Sequence, residues 1–234
     1  MIRKLISYIP STITCLNLLS GCMAVFMAFH LQDAYWGISG QSWVYIFIAA
    51  AAVFDFCDGL AARMLKAYSD IGKELDSLSD LVSFGVAPGM LMLNIMLQGS
   101  HFPVTALAAL LIPVCGALRL AKFNVDTNQS TVFTGLPIPA NAIFWIGMAA
   151  WQSESPYLGS SLMIPFIILI SLAMVSRIRM FSLKFKNLRF ADNIKRYAVI
   201  LAAIAFVAIY GLSGLMWTII LYIFLSMFSR NIEE

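Results

Sequence analysis

Apolar residues along this chain fall into blocks separated by short polar stretches, running roughly 12–30, 43–62, 80–98, 103–121, 137–153, 160–176, 197–211 and 214–229. Blocks of this length can cross about 30 Å of hydrocarbon as α-helix. The last two are divided only by the turn Gly211-Leu212-Ser213-Gly214, and joining them would demand a helix too long for a bilayer. Pro88 and Gly89 interrupt the third block. The pattern predicts an all-α integral membrane protein, a polytopic bundle of about 8 transmembrane helices.

The charges test this layout independently. With the N-terminus inside, the outer loops are about 31–42, 99–102, 154–159 and 212–213, and they hold no Lys or Arg. All 15 basic residues fall in the N-terminal segment, at inner helix ends, in inner loops or at the C-terminus, seven of them between Arg177 and Arg196. This positive-inside bias orients both termini to the cytoplasm and places the chain in the cytoplasmic membrane. The basic stretch 177–196 would lie at the interface and attract anionic headgroups. The opening MIRKLISYIPS reads either as a short amphipathic helix on the inner interface, ending in a turn at Pro10, or as a plain positive flank. Trp151, Tyr157, Tyr197 and Trp217, near span ends, read as interfacial anchors.

Composition agrees with that picture. Hydrophobic residues make up 61% and charged residues 12% of the 234 positions, against about 25% charged in soluble domains. The first block lacks an Ala-x-Ala-like cleavage site and reads as a retained helix. Cys15, Cys22, Cys57 and Cys115 form no ligand pattern and read as small buried side chains. The net charge of +3 does not indicate a nucleic-acid partner, because the basic residues sit where topology requires them. No internal repeat is visible, which argues against an inverted-repeat transporter. The chain reads as one transmembrane catalytic domain, 1–234: an interfacial segment 1–11, a core 12–186, and a C-terminal pair of spans 187–234.

Four acidic residues stand out because charge beside hydrocarbon is expensive and marks function. Asp55 and Asp58 are three apart and Asp76 and Asp80 four apart, so each pair shares a helical face. Both pairs sit at the inner ends of consecutive helices, and antiparallel packing of those helices would bring them together. Four close carboxylates repel one another, and divalent cations would relieve that. An oxygen-only set suits Mg²⁺, Mn²⁺ or Ca²⁺. Two hard cations facing a diphosphate form a natural pairing. Gly59 and Gly72 leave room for a ligand or close packing, and Ser77 and Ser79 could donate hydrogen bonds. A cation or proton pathway, or carboxylates paired with Arg63 and Lys73, stay open on geometry alone.

Residues 55–80 read DFCDGLAARMLKAYSDIGKELDSLSD, with the spacing D-x2-D-G-x2-A-R-x8-G-x3-D-x3-D. This resembles the signature of the CDP-alcohol phosphatidyltransferases at all eight fixed positions. IPSTITCLNLLSG (9–21), DSLSDLVSFGVAPG (76–89), ALRLAKFNV (117–125), FTGLPIPAN (133–141) and, more loosely, MVSRIRMFSLKFK (174–186) resemble its phosphatidylserine synthase branch. Ser11 departs from the usual Asn. The resemblance implies transfer of a phosphatidyl group from CDP-diacylglycerol to L-serine with release of CMP. It implies Asp55, Asp58, Asp76 and Asp80 as ligands of two divalent cations, with Asp80 also the general base. It implies Gly59, Ala62, Arg63 and Gly72 lining the CDP site, and a homodimer.

The acceptor presents a carboxylate. Arg119, at the inner end of the fourth span, suits bidentate pairing with it, or is a flank snorkelling to the interface. Asn124 and Ser83 are further polar candidates, and Lys122 reads as a flank. The Gly135-Leu136-Pro137-x-Pro139 stretch shapes an entrance or simply starts span five. Glycerol 3-phosphate or an inositol phosphate as acceptor, and an ether-linked donor lipid, remain alternatives.

Overall fold

The computed structural model describes residues 2–98, 103–125, 133–154, 162–181, 189 and 193–228. Tyr157, His101, Arg230 and most of the basic stretch 182–192 lie outside them. Ten α-helices are formed among the described residues: α1 (Ile2–Ala28), α2 (Gly40–Leu65), α3 (Asp70–Leu81), α4 (Ala87–Gln98), α5 (Pro103–Ala106), α6 (Leu111–Val125), α7 (Ile138–Glu154), α8 (Met163–Val175), α9 (Ile194–Tyr210) and α10 (Gly214–Phe228). Two small antiparallel ladders join them, β1 (Ala34–Tyr35) with β2 (Ile38–Ser39), and β3 (Phe133–Thr134) with β4 (Arg179–Met180). The chain is an all-α, multi-pass membrane protein.

Five helical runs are long and apolar enough to cross a membrane: Tyr8–Ala28, Gly40–Leu65, Asp70–Gln98, Val104–Val125 and Ile194–Phe228. The hydropathy pattern marks eight segments, and the difference has a simple origin. Ile194–Phe228 folds back at Gly211, whose φ of 60° makes the turn between α9 and α10. The other two segments become α7 and α8, of 17 and 13 residues, below the roughly 20 that span a bilayer unaided. α7 is the centre of the bundle: Asn141, Phe144, Trp145 and Met148 on it are all fully buried.

Two expectations about helix ends are corrected. There is no turn at Pro10: α1 continues through it from Ile2, losing the one backbone hydrogen bond that proline cannot donate. The third run begins at Asp70, not at residue 80, so Asp76 and Asp80 lie within it. It comprises α3, a π-helical segment Val82–Val86 and α4. The bulge has an identifiable support. Pro88 has no N–H for the Phe84 carbonyl four residues earlier, and Asn141 Nδ2 donates to that carbonyl at 2.9 Å. Asn141 Oδ1 in turn accepts from the Trp145 indole at 2.8 Å.

Glycine is required at two close approaches. A Cβ on Gly21 would overlap Ser83 in the π segment, so α1 seats directly on the bulge. Gly135, at φ 76°, abuts the Met174 carbonyl and leads from the β3–β4 ladder into α7. Replacing Asn141 by leucine strands both the Phe84 carbonyl and the Trp145 N–H in the core. It should lower stability by about 2–4 kcal/mol, read as a fall in Tm in detergent micelles; an unchanged Tm would show that another donor serves the bulge.

Candidate active site

The turn after α2 is built by local chemistry. Lys66 adopts the left-handed conformation at φ 50°, and its N–H caps the Ala62 and Arg63 carbonyls. Ser69 then opens α3, its hydroxyl oxygen accepting from Gly72 N–H at 3.0 Å. Four residues, 66–69, link the two helices, and the signature carboxylates end up on consecutive helices.

Carboxylate oxygens of Asp55, Asp76 and Asp80 lie within 4.8 Å of one another. Asp58, almost fully buried, stands beside Thr14 and outside this triad, though close enough to Asp76 and Asp80 to act on them electrostatically. The expected direct packing of the two helices is not what unites the pairs. α2 and α3 scarcely approach each other at the backbone, whereas α1 packs along α2 and also against α3 and the π segment. The side chains meet across the space that this arrangement leaves.

α1 supplies polar groups that sequence reasoning did not include in the site. Thr14 and Asn17 are three residues apart and buried. Thr14 O accepts from Ser79 at 3.3 Å, and Asn17 Oδ1 accepts from Ser83 at 2.7 Å. Asn17 Nδ2 faces Asp80 Oδ1 at 3.5 Å. The signal was present: polar side chains in a hydrophobic span, spaced to share a face, by the same argument that singled out the aspartates.

The remaining candidates are placed as follows. Beside Gly59, a Cβ would meet only the tip of Arg63, at 4.0 Å, so the helix wall is open there. Arg63 is exposed and its Nε donates to the Gly59 carbonyl at 2.9 Å; Ala62 is half-buried one residue before it. Gly72 is closed in, with Ser69 Oγ 2.9 Å from where a Cβ would stand. Ser83 is fully buried and its hydroxyl is spent on Asn17. Asn124 is tied to Ser77, its Nδ2 donating to Ser77 Oγ at 3.0 Å. Lys122 Nζ donates to the Val175 carbonyl at 3.3 Å. Arg119 is half-buried, close enough to Asp80 and to Tyr222 of α10 to interact with both, and its Nε is shielded without a hydrogen-bond partner among the described residues.

These residues fit a divalent cation. The donor set is all carboxylate oxygen, as hard cations prefer. Asp58 Oδ2 and Asp76 Oδ1 are both shielded from solvent with no hydrogen-bond partner among the described residues, an arrangement that is costly unless something positive satisfies them.

A family model for the CDP-alcohol phosphatidyltransferases matches residues 7–176, spanning α1 to α8 and all four aspartates. The chain belongs to the CDP-alcohol phosphatidyltransferase family. Proteins named CDP-diacylglycerol–serine O-phosphatidyltransferase are similar to it, three of them as follows. The Bacillus subtilis protein is 42% identical over 135 residues, covering 57% of this chain and 70% of that protein. The Methanocaldococcus jannaschii protein is 37% identical over 178 residues, 76% of this chain and 75% of that one. The Helicobacter pylori (strain J99) protein is 31% identical over 212 residues, 88% of this chain and 84% of that one. For a CDP-alcohol phosphatidyltransferase, the triad makes a direct prediction. Asp76→Asn should weaken Mn²⁺ binding by about tenfold or more, measured by electron paramagnetic resonance on the protein without substrate; undiminished binding would remove Asp76 from the ligand set.

Proposed function

We propose that this chain transfers the phosphatidyl group of CDP-diacylglycerol to the hydroxyl of L-serine, releasing CMP. The observation that carries this reading is the carboxylate triad Asp55, Asp76 and Asp80, with oxygens within 4.8 Å, inside the span that matches the family. The names of the similar proteins support serine as the acceptor.

Asp55, Asp58, Asp76 and Asp80 would hold two divalent cations, Mg²⁺ or Mn²⁺, with Ca²⁺ a weaker fit. Bound there, such ions neutralise the diphosphate and stabilise the departing CMP. The open wall at Gly59 admits the nucleotide, with Ala62 and Arg63 beside it, and Gly72 shapes the turn through its cap. The serine hydroxyl is a weak nucleophile until its proton is accepted. Asp80 takes that proton while the serine oxygen forms a bond to the lipid-side phosphorus. The bond from that phosphorus to the bridging oxygen breaks, and CMP leaves with the electron pair.

Arg119 is the group for the serine carboxylate. Its Nε is shielded and has no hydrogen-bond partner among the described residues, the group lies close enough to Asp80 to interact with it, and a guanidinium fork pairs with a carboxylate in two parallel hydrogen bonds. The opposed charges of carboxylate and Arg119 then place the serine hydroxyl at Asp80. The inner, cytoplasmic side is where this site opens in the proposed orientation, with both termini on that side and the protein a homodimer in the cytoplasmic membrane.

Purified protein with CDP-diacylglycerol and Mg²⁺ or Mn²⁺ should release CMP with L-serine and not with glycerol 3-phosphate. Release only with glycerol 3-phosphate would overturn the serine assignment and leave the transferase chemistry standing. Asp80→Asn should lower kcat by about 10²–10⁴-fold. Arg119→Lys keeps the charge and loses the fork, so KM for serine should rise by about tenfold with KM for the lipid unchanged; equal rises in both would place Arg119 elsewhere.

A further inference from the structure

The polar groups of α1 are not used by the mechanism above, and one of them, Asn17, faces the proposed base. Asn17 is fully buried in an apolar helix, 63 positions from Asp80 in sequence, yet its amide stands against that carboxylate. A buried amide in a membrane span is retained only where all its hydrogen-bonding groups find work. Its oxygen accepts from Ser83 Oγ at 2.7 Å, and the same hydroxyl lies 3.1 Å from the Asn17 backbone carbonyl. Ser83 sits in the π segment that begins two residues after Asp80, and π-bulges concentrate at functional sites.

This arrangement decides which way the amide points. With Oδ1 turned to Ser83, the N–H of Nδ2 is directed at Asp80 Oδ1. The opposite rotation would set two oxygens against each other at Asp80. Gly21, one turn on, lets α1 approach the bulge closely enough for these contacts, since any side chain there would collide with Ser83. The bulge is braced from its other side by Asn141 on α7. Asn17, Ser83 and Asp80 are therefore held as one unit between two helices.

We propose that Asn17 is the positioning residue of the transfer reaction: pinned by Ser83, it donates to Asp80 Oδ1 and fixes the rotation of that carboxylate, leaving Oδ2 as the oxygen that receives the serine proton. The 3.5 Å separation is long for a hydrogen bond, and such contacts shorten when the site is loaded. The inference rests on the reading of Asp80 as proton acceptor. Asn17 itself touches no reacting atom, so its loss should impair turnover and not binding.

The test compares Asn17→Ala, Ser83→Ala and the double variant with the unaltered enzyme in detergent micelles. Each is assayed for kcat, for KM toward serine and CDP-diacylglycerol, and for Mn²⁺ affinity without substrate. Asn17→Ala should lower kcat by about 10- to 100-fold, with both KM values and the Mn²⁺ affinity within about twofold. Ser83→Ala should give a smaller fall of the same kind. Because Ser83 acts through Asn17, the double variant should be no slower than Asn17→Ala alone. Ser83→Ala removes a single hydroxyl, so it carries the test even where Asn17→Ala does not fold. A kcat within twofold of the unaltered enzyme in either variant, multiplicative losses in the double variant, or a loss confined to KM or Mn²⁺ binding would each overturn the proposal. Full turnover in Asp80→Asn would instead overturn the underlying reading of Asp80, whatever Asn17 does.

Discussion

Carboxylates whose oxygens share a space 4.8 Å across repel one another, and the bundle must hold them there in an apolar setting where that repulsion is weakly screened. Most of what is unusual in this fold answers that demand. α1 is wedged along α2 and against α3, so the helices that carry the aspartates are held by a third and kept from collapsing onto each other. The carboxylates of α2 and α3 therefore face one another without the two helices packing directly together. Had α2 and α3 packed face to face, the same four aspartates would have formed a structural cluster with no room for a substrate.

The π segment serves the same end. A regular helix from Asp70 to Gln98 would carry Asp80 and the residues after it in fixed 3.6-residue phase. Five residues in π geometry shift that phase, which turns Ser83 to Asn17 and the Phe84 carbonyl to Asn141. Pro88 makes the bulge tolerable, because the carbonyl it cannot serve is the one Asn141 reaches. The bulge is thus anchored to both α1 and α7, and Asp80 sits at the root of that anchor.

Much of this was legible in the sequence. Hydropathy located the apolar runs because a bilayer imposes a length on every helix that crosses it. Spacing paired the aspartates because i, i+3 and i, i+4 neighbours share a face whatever the tertiary structure. Three features were not legible, two of them because they depend on contacts between elements distant in sequence. Adjacency suggested that α2 and α3 would pack together, yet α1 comes between their partnerships. Pro10 signalled a break, but a long helix tolerates the loss of one hydrogen bond. Asn17 carried a signal in sharing a face with Thr14, but only the approach of the π segment shows what its amide is for.

The C-terminal pair of helices adds a constraint that the signature does not contain. The family match ends at residue 176, yet Tyr222 on α10 lies close enough to Arg119 to interact with it, and its hydroxyl donates to the Phe181 carbonyl at 2.9 Å just beyond the β3–β4 ladder. Met216 on the same helix abuts Gly147 at the centre of α7. The wall beside Arg119 is therefore built partly by a segment outside the shared core. On the proposed role of Arg119 toward the serine carboxylate, α10 would close the acceptor side of the site. On that same proposal, alcohol specificity would be tuned through α10 and the ladder beside it, while the aspartates, the bulge and α1 would stay as the transfer chemistry requires.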